Sequence, residues 1–417
     1  MNSNRWMKYS LGEICSFISG TVFPRESQNS LNGTIPFIKV SDLNTSGNER
    51  WIDYSNNYIS ESEAKKLRAK IHPPLATTFA KIGIALTFNR RRLLRKKTIV
   101  DNNLASAVPN TSIIDPIFFY YLLSTIDFNK ISSGTALPYL NFSDIERIPV
   151  DIPPIPTQRR IAEILSSLDD KIELNRQTNA TLEAIAQAIF KEWFVDFNFP
   201  GATGEMVESE FGMIPKGWRV GKLGEVCKLS KGVSYKSSEL QPSDSALVTL
   251  KSINRGGGFN NDGFKEYLGN FKTSQCLVKG DLIFAQTDIT QNADVIGSPA
   301  IVENPFDYEN LVASLDIVKC EPTNEIPSSG TLYYFLQRQE FKDYCLSQTN
   351  GSTVLHLRSS EIPNYSMIIP NSSILREFDS IITSIRQIIL ENNQQNHILR
   401  KTCDELLPKL MSGEIEV

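Results

Sequence analysis

Seven basic residues and no acidic one fall within KIGIALTFNRRRLLRKK, Lys81 to Lys97. Such a run can neutralise phosphates and release their counterions, while Arg and Asn side chains can donate to base edges. Lys81, Asn89, Arg90, Arg91, Arg92, Arg95, Lys96 and Lys97 are therefore candidate nucleic-acid contacts, weighed against a plain solvated face. A second set, Asp53 with Glu63 and Lys65, has the residue types of a metal-dependent nuclease. That spacing is common by chance, and SESEAKKLRAK reads better as the solvated face of a helix. Asp169 and Asp170 form a third acidic pair, but neighbours in a helix do not share a face, so a structural role is expected.

Other chemistries lack their parts. There is no G-x-x-x-x-G-K-[ST] phosphate loop, and no N-P-P or D-P-P followed by an aromatic, with which amino methyltransferases hold a flipped base. The six cysteines never approach C-x-x-C spacing and only three histidines occur, which argues against a metal centre or a disulfide framework. A net charge of −4 gives no nucleic-acid signal for the chain as a whole, so the local run matters more than the sum. A hydrophobic fraction of 41% with 22% charged residues is that of a globular protein, and 417 residues suggest two or three domains. No apolar run reaches the roughly 20 residues that span a bilayer, and Met1 to Gly12 lacks a signal-peptide core, so no membrane contact and a cytoplasmic location are expected.

The elements that must position these residues occur twice. WMKYSLGEIC (Trp6 to Cys15) aligns with WRVGKLGEVC (Trp218 to Cys227) at an offset of 212. TTFAKIG around Phe79 faces LIFAQTD around Phe284, and SSGTALPYLNFSDIERIPV from Ser132 faces TNGSTVLHLRSSEIPNYSM from Thr349. A repeat of this kind fixes the fold class before any single motif does. Where the first copy carries its basic run, the second carries FAQTDITQNADVIGSPAIV, with Gln286, Thr287, Thr290, Gln291 and Asn292 as base-edge candidates. Two scaffolds that agree in framework and differ here behave as one reader with two specificities.

Each copy ends in a long amphipathic stretch. In the first, Ile161, Ile164, Leu168, Ile172, Leu182, Ile189 and Trp193 step by threes and fours, with Asn179 as a polar break. In the second, Phe378, Ile381, Ile385, Ile389, Leu399 and Leu406 do the same. A seam one face wide implies coiled coil, since neither helix can stay dry alone. Pro153, Pro154 and Pro156 place the first helix from about 157 to 195 with Thr157 as N-cap, roughly 58 Å of stiff spacer at 1.5 Å per residue. Pro370 precedes the second helix, and Pro408 is expected to cut its last turn. Short β-branched runs and one aromatic helix per copy predict mixed α/β (α+β) domains, and the Gly- and Pro-rich FPGATGEMVESEFGMIPKGW predicts a linker.

The order of IPPIPTQRRIAEILSSLDDKIELNRQTNATLEAIAQAIFKEWFVDF, then GEMVESEFGMIPKGWRVGKLGEVC, then GDLIFAQTDITQNADVIGSPAIV closely resembles the DNA-specificity subunit of type I restriction-modification systems. The resemblance covers nearly the whole chain. It implies two target-recognition domains, at 1–152 and 218–369, each reading half of a bipartite, asymmetric site in double-stranded DNA. It further implies helical regions at 153–198 and 370–417, with a linker at 199–217, packed as an antiparallel coiled coil with pseudo-twofold symmetry. The helices would set the half-site spacing and dock two modification subunits, which carry S-adenosylmethionine and methylate adenine. ATP and Mg would belong to separate restriction subunits, and this chain would be non-catalytic with no cofactor of its own. A coiled-coil scaffold that binds no DNA and, less favoured, a nuclease are the competing readings.

Overall fold

The two copies close in the same way. Met7–Ser10 pairs antiparallel with Pro149–Ile152, and Arg219–Lys222 pairs antiparallel with Ser366–Ile369, so each domain ties its first strand to its last. The computed structural model describes residues 6–134, 136–288, 293–351 and 354–417. Within these, the chain divides into two compact units: one runs up to Leu174 and adds Asn396–Val417, the other is Asn175–Gln395.

In the first unit a five-stranded sheet runs in the order Cys15–Ser19, Leu104–Pro109, Thr77–Ala80, Arg91–Leu94, Trp51–Ile52. Beside it, Ile35–Ile38 lies between Tyr58–Ile59 and Ile99–Val100, the latter pair parallel. The second unit repeats the plan. Cys227–Lys231, Ile317–Pro322, Leu282–Ala285 and Pro299–Ile301 form one sheet, and Ser245–Val248 pairs in parallel with Asn310–Ala313 in another. Glycine is required at the same turn in both: a Cβ on Gly20 would lie 1.8 Å from the Asp101 carbonyl oxygen, and one on Gly232 2.1 Å from that of Ser314. Mixed α/β domains and the internal repeat are thus observed. The stretch expected as a linker instead contains a hairpin, Met206–Ser209 with Gly212–Pro215.

Each sheet is covered by an aromatic helix, Pro116–Thr125 and Ser329–Leu336. Asp115 caps the first, accepting from the backbone N–H groups of Ile117 and Phe118. Against these lie the two long helices, which we term central (Ile155–Phe194, 40 residues) and terminal (Ser372–Ser412, 41 residues). The central helix starts two residues earlier than the prolines suggest. Pro156 sits in its first turn, where a missing N–H costs nothing because that donor has no intrahelical partner. Gln158 anchors this start, taking the Asp115 N–H at 2.7 Å and donating to the carbonyls of Pro153 and Ile113. Asn371 caps the terminal helix by accepting from the Ile374 N–H. Pro408 does not end that helix, which continues through it to Ser412.

His72 is fully buried in the first unit, and neither ring nitrogen has a hydrogen-bond partner there. Burial, helped by Lys70, pulls its pKa down to about 4. The unfolded chain therefore takes up a proton as the pH falls through about 6.5, while the folded chain does so only near 4. Stability should be level above pH 7 and fall by about 2 kcal/mol on going to pH 5. In urea titrations at the two pH values, His72→Leu is expected to remove that part of the pH dependence.

Candidate nucleic-acid interface

The basic run is built as a tight turn followed by a strand. Thr77–Ala80 leads through Gly83, whose φ of 84° favours glycine, into the short helix Ile84–Thr87 and then the strand Arg91–Leu94. Alternation along the strand sends successive arginines to opposite faces. Arg91 points inward: it is 4% exposed, its guanidinium lies 3.7 Å from the centre of the Phe128 ring, and it donates to the Ile126 carbonyl at 2.9 Å. Burial lowers its pKa from the usual arginine value. Arg92 is half-buried and donates to the carbonyls of Leu43 and Arg91. Asn89 accepts from the Phe128 N–H and so ties the turn to the next segment.

The remaining cations are more accessible. Arg90 lies over Phe88 at 4.8 Å and bonds Asn44, while Arg95 lies over Trp51 at 4.5 Å and pairs with Asp53. Lys96 is exposed with its ammonium 5.2 Å from the Tyr58 ring, and Lys97 is also exposed. Lys81 is half-buried near Ser19 and Phe142, and burial first, then Lys70, lowers its pKa. The uniform patch expected from the sequence is therefore two kinds of residue. Arg91 is corrected to a core role, because alternation in a strand gives it no route to the surface.

In the second unit Gln286 and Thr287 are also buried. The Gln286 amide donates to the Leu315 carbonyl, and the Thr287 hydroxyl donates to Asp316 at 2.8 Å. Both side chains are directed inward, which takes them off the expected reading surface. Thr290, Gln291 and Asn292 lie outside the described residues. Asp288 accepts from the N–H groups of Val295 and Ile296.

The nuclease-like set is occupied by structural work. Asp53 is held by Arg95, and Glu63 caps the helix Glu61–Lys66 by accepting from the Ser60 hydroxyl at 2.6 Å and its N–H at 2.7 Å. These bonds, the hydroxyl's first, hold the Glu63 carboxyl below the usual range. Among the described residues, no group of three or more His, Cys, Asp or Glu side chains could hold a metal ion.

The helical seams close within each unit. In the second unit Phe190, Trp193 and Phe194 of the central helix meet Phe378 of the terminal helix; Phe194 and Phe378 are 5.0 Å apart and nearly perpendicular. Leu182, Ile189, Ile381, Ile385 and Ile389 complete the seam around them. In the first unit Ile161, Ala162 and Leu165 share a core with Leu410 and Met411, with Ile164 and Leu406 at its edge. Leu168, Ile172 and Leu399 are half-buried. Contacts that rise along one helix fall along the other, so the packing is antiparallel. Asn175 donates to Gln395, Asn179 to Asn393, and Asn392 to Asn179, each at 2.8 Å. Asn175 is 2% exposed and Asn179, Asn392 and Asn393 are half-buried, a polar layer of the kind that fixes register.

Charged locks join domain to helix. Arg50 reaches Asp170 at 3.0 Å and Asp169 at 3.9 Å, and Tyr121 donates to Asp169 at 2.6 Å. One guanidinium spans both neighbours, although they do not face each other on the helix. In the second unit the position matching Asp169 is Arg386, which lies 4.0 Å over Tyr333 and 3.7 Å from Glu183. Sequence pattern could not find either lock, since Arg50 and Asp169 are far apart in the chain. The doubled tyrosines in each aromatic helix were the available signal.

With that geometry established, comparison with known proteins is informative. A family profile described as type I restriction modification DNA specificity domain matches residues 3–184 and again 215–400. The type I restriction enzyme MjaIX specificity subunit of Methanocaldococcus jannaschii is 26% identical over 423 aligned residues, covering 99% of this chain and 94% of that protein. The HindI specificity subunit of Haemophilus influenzae is 27% identical, covering 98% and 99%. Among solved structures, the type I restriction-modification S subunit from M. genitalium superposes with a TM-score of 0.58 at 15% identity, over 98% of this chain and 97% of that one. The last of these supports the fold.

Inward and outward cations should separate experimentally. Arg91→Ala is expected to destabilise the first unit by about 2–4 kcal/mol, through a lost buried cation–π contact and a cavity. Lys96→Ala should stay within about 0.5 kcal/mol of the parent in thermal and urea unfolding.

Proposed function

We propose, from the premise that this chain belongs to the type I restriction-modification DNA specificity family and is a non-catalytic specificity subunit, that each unit carries one target-recognition domain reading one half of a bipartite, asymmetric site in double-stranded DNA. The observation that carries this reading is the duplication itself: one fold built twice, with matching frameworks and different side chains at the matching loops. A pseudo-symmetric reader meets a site of two half-sites, and unlike loops make those half-sites unlike. The two domains are assigned to residues 1–152 and 218–369, with 153–198 and 370–417 as the helical spacers and 199–217 joining them.

The long helices are assigned two tasks. Their register, held by the asparagine layer, sets the spacing between half-sites. Their outer faces dock two modification subunits, one per unit. Support for docking lies in exposed apolar residues on both helices: Leu174 and Ile398 in the first unit, Ile185 and Ile388 in the second. S-adenosylmethionine would be held by those partners, and ATP and Mg by restriction subunits that join them. No described helix is long and apolar enough to cross a membrane, and we place the complex in the cytoplasm, with its DNA.

Arg90, Arg95, Lys96 and Lys97 are assigned to DNA phosphates in the first half-site. Affinity should fall with salt, and changing Lys96 and Lys97 together to Ala should lower the slope of log affinity against log salt by about 2, alike for all sequences.

Co-expression with the neighbouring modification subunit, followed by single-molecule sequencing of host DNA, tests the whole reading. The expected result is methylated adenine, one per strand, in a split motif that disappears when this gene is deleted. Methylation that persists unchanged on deletion would sink it and leave a scaffold that reads no DNA. Ile185→Glu with Ile388→Glu should separate docking from reading: co-purification of the modification subunit is expected to drop at least tenfold while the chain's own melting temperature holds.

A further inference from the structure

Beside the basic run the first unit places a second segment, one that the repeat marked only as framework. Gly83 donates its N–H to the Pro138 carbonyl at 2.8 Å, and Leu140 donates to the Lys81 carbonyl at 2.9 Å. Ser133 and Tyr139 exchange two backbone bonds at 2.9 Å. Asn129 then donates its amide to the Thr87 carbonyl at 3.1 Å. Two stretches some fifty residues apart thus form one edge.

That edge presents apolar side chains to solvent. Ile84 is 72% exposed, Phe88 58% and Leu137 57%. A Cβ on Gly83 would lie 3.7 Å from Leu137 Cδ1, which places Leu137 beside the residue that precedes Ile84. Exposed apolar residues grouped in this way mark a contact surface more often than singly scattered ones do.

The charge around them narrows the partner. Neither residues 81–100 nor residues 128–143 contain an Asp or Glu, while Lys81, Arg90 and the exposed Lys130 all lie on them. Asp127, just before the second stretch, spends its carboxylate on the Asn129 N–H and side-chain amide. An edge of cations and bare aliphatic groups with no carboxylates of its own suits a duplex, whose phosphates flank base edges and thymine methyls.

The second unit builds the same edge with other side chains. Thr287 pairs with His356, and His356 with Asn350, the counterparts of Ile82, Tyr139 and Ser133. At the position matching Leu137 the second unit has Val354. Backbone pairing is kept while the chemistry changes, as expected where two readers diverge.

We infer that Ile84 and Leu137 are specificity-determining residues of the first half-site, packing against base edges in a groove while Lys130 meets a flanking phosphate. This rests on the DNA-reading function proposed above. The segment around Leu137 is thereby a base-reading element alongside the basic run.

The test uses the full chain co-purified with its modification subunits and two fluorescent duplexes, one with the methylated motif and one scrambled, across a salt series. Leu137→Ala and Ile84→Ala should each cut the preference for the motif about tenfold or more, with the salt slope unchanged. Motif mapping should relax at one or two bases of a single half-site. Lys130→Ala should weaken both duplexes alike and lower the slope by about 1. Leu137→Met, which keeps an apolar side chain of similar volume, should retain most of the preference, and Val22→Ala, exposed elsewhere, should change nothing. An undiminished preference in both Ile84 and Leu137 variants overturns the inference. So does failure of these variants to assemble with the modification subunit, which would make the edge a protein contact. If the parent complex itself shows no preference for any motif, the DNA-reading function fails first and takes this inference with it.

Discussion

Mutual burial of the two long helices is the constraint on which the rest depends. Each helix has an apolar seam too narrow to be wrapped by a globular core, and each gives part of that seam to a unit whose remaining residues come from elsewhere in the chain. The first unit is completed only when Leu410 and Met411, at the far end of the sequence, reach the core that holds Ile161 and Leu165. The second needs Phe190, Trp193 and Phe194 from the central helix against Phe378. Burying side chains of this size stabilises by about 2–3 kcal/mol each, so neither unit can spare its share of either helix.

Apolar burial alone would not fix how far one helix slides along the other. The asparagine layer does that, because a slip by one turn would break the bonds of the buried Asn175 amide and of the half-buried Asn179 amide. Polar pairs at the domain contacts add a second check. Arg50 with Asp169 and Asp170 joins domain to helix in one unit; in the other, Arg386 and Glu183 pair between the two helices and meet the domain through Tyr333 and Tyr334. A buried carboxylate such as Asp169, whose pKa burial raises, is tolerable only with those donors in place.

The same economy of partners bears on the edge proposed to read DNA. Where carboxylates are near cations, as with Arg95 and Asp53, the charge is spent inside the domain. Between Lys81 and Val100 and again from Phe128 to Ser143 the chain itself has no Asp or Glu, so a carboxylate partner there, as Asp53 is for Arg95, must come from elsewhere in the fold. Gly83 allows the sharp turn that brings these stretches together.

The sequence by itself determined the duplication, the α/β class, the paired helices and the family, because repeats and helical periodicity are written in local order. It also located the basic run, but it could not say which cations face solvent. Arg91 and Arg92 are neighbours in the chain, and only the strand's pleat and the Phe128 ring decide that the first is core. Gln286 and Thr287 likewise look like readers until their partners Leu315 and Asp316 are seen. The Pro408 break failed for a related reason: tertiary packing of Leu410 and Met411 holds the helix through a residue that local propensity disfavours. Long-range contacts such as Arg50 with Asp169, or Gly83 with Pro138, leave no mark in local order. Only the tertiary structure supplied them, because they depend on where the chain returns rather than on what it is.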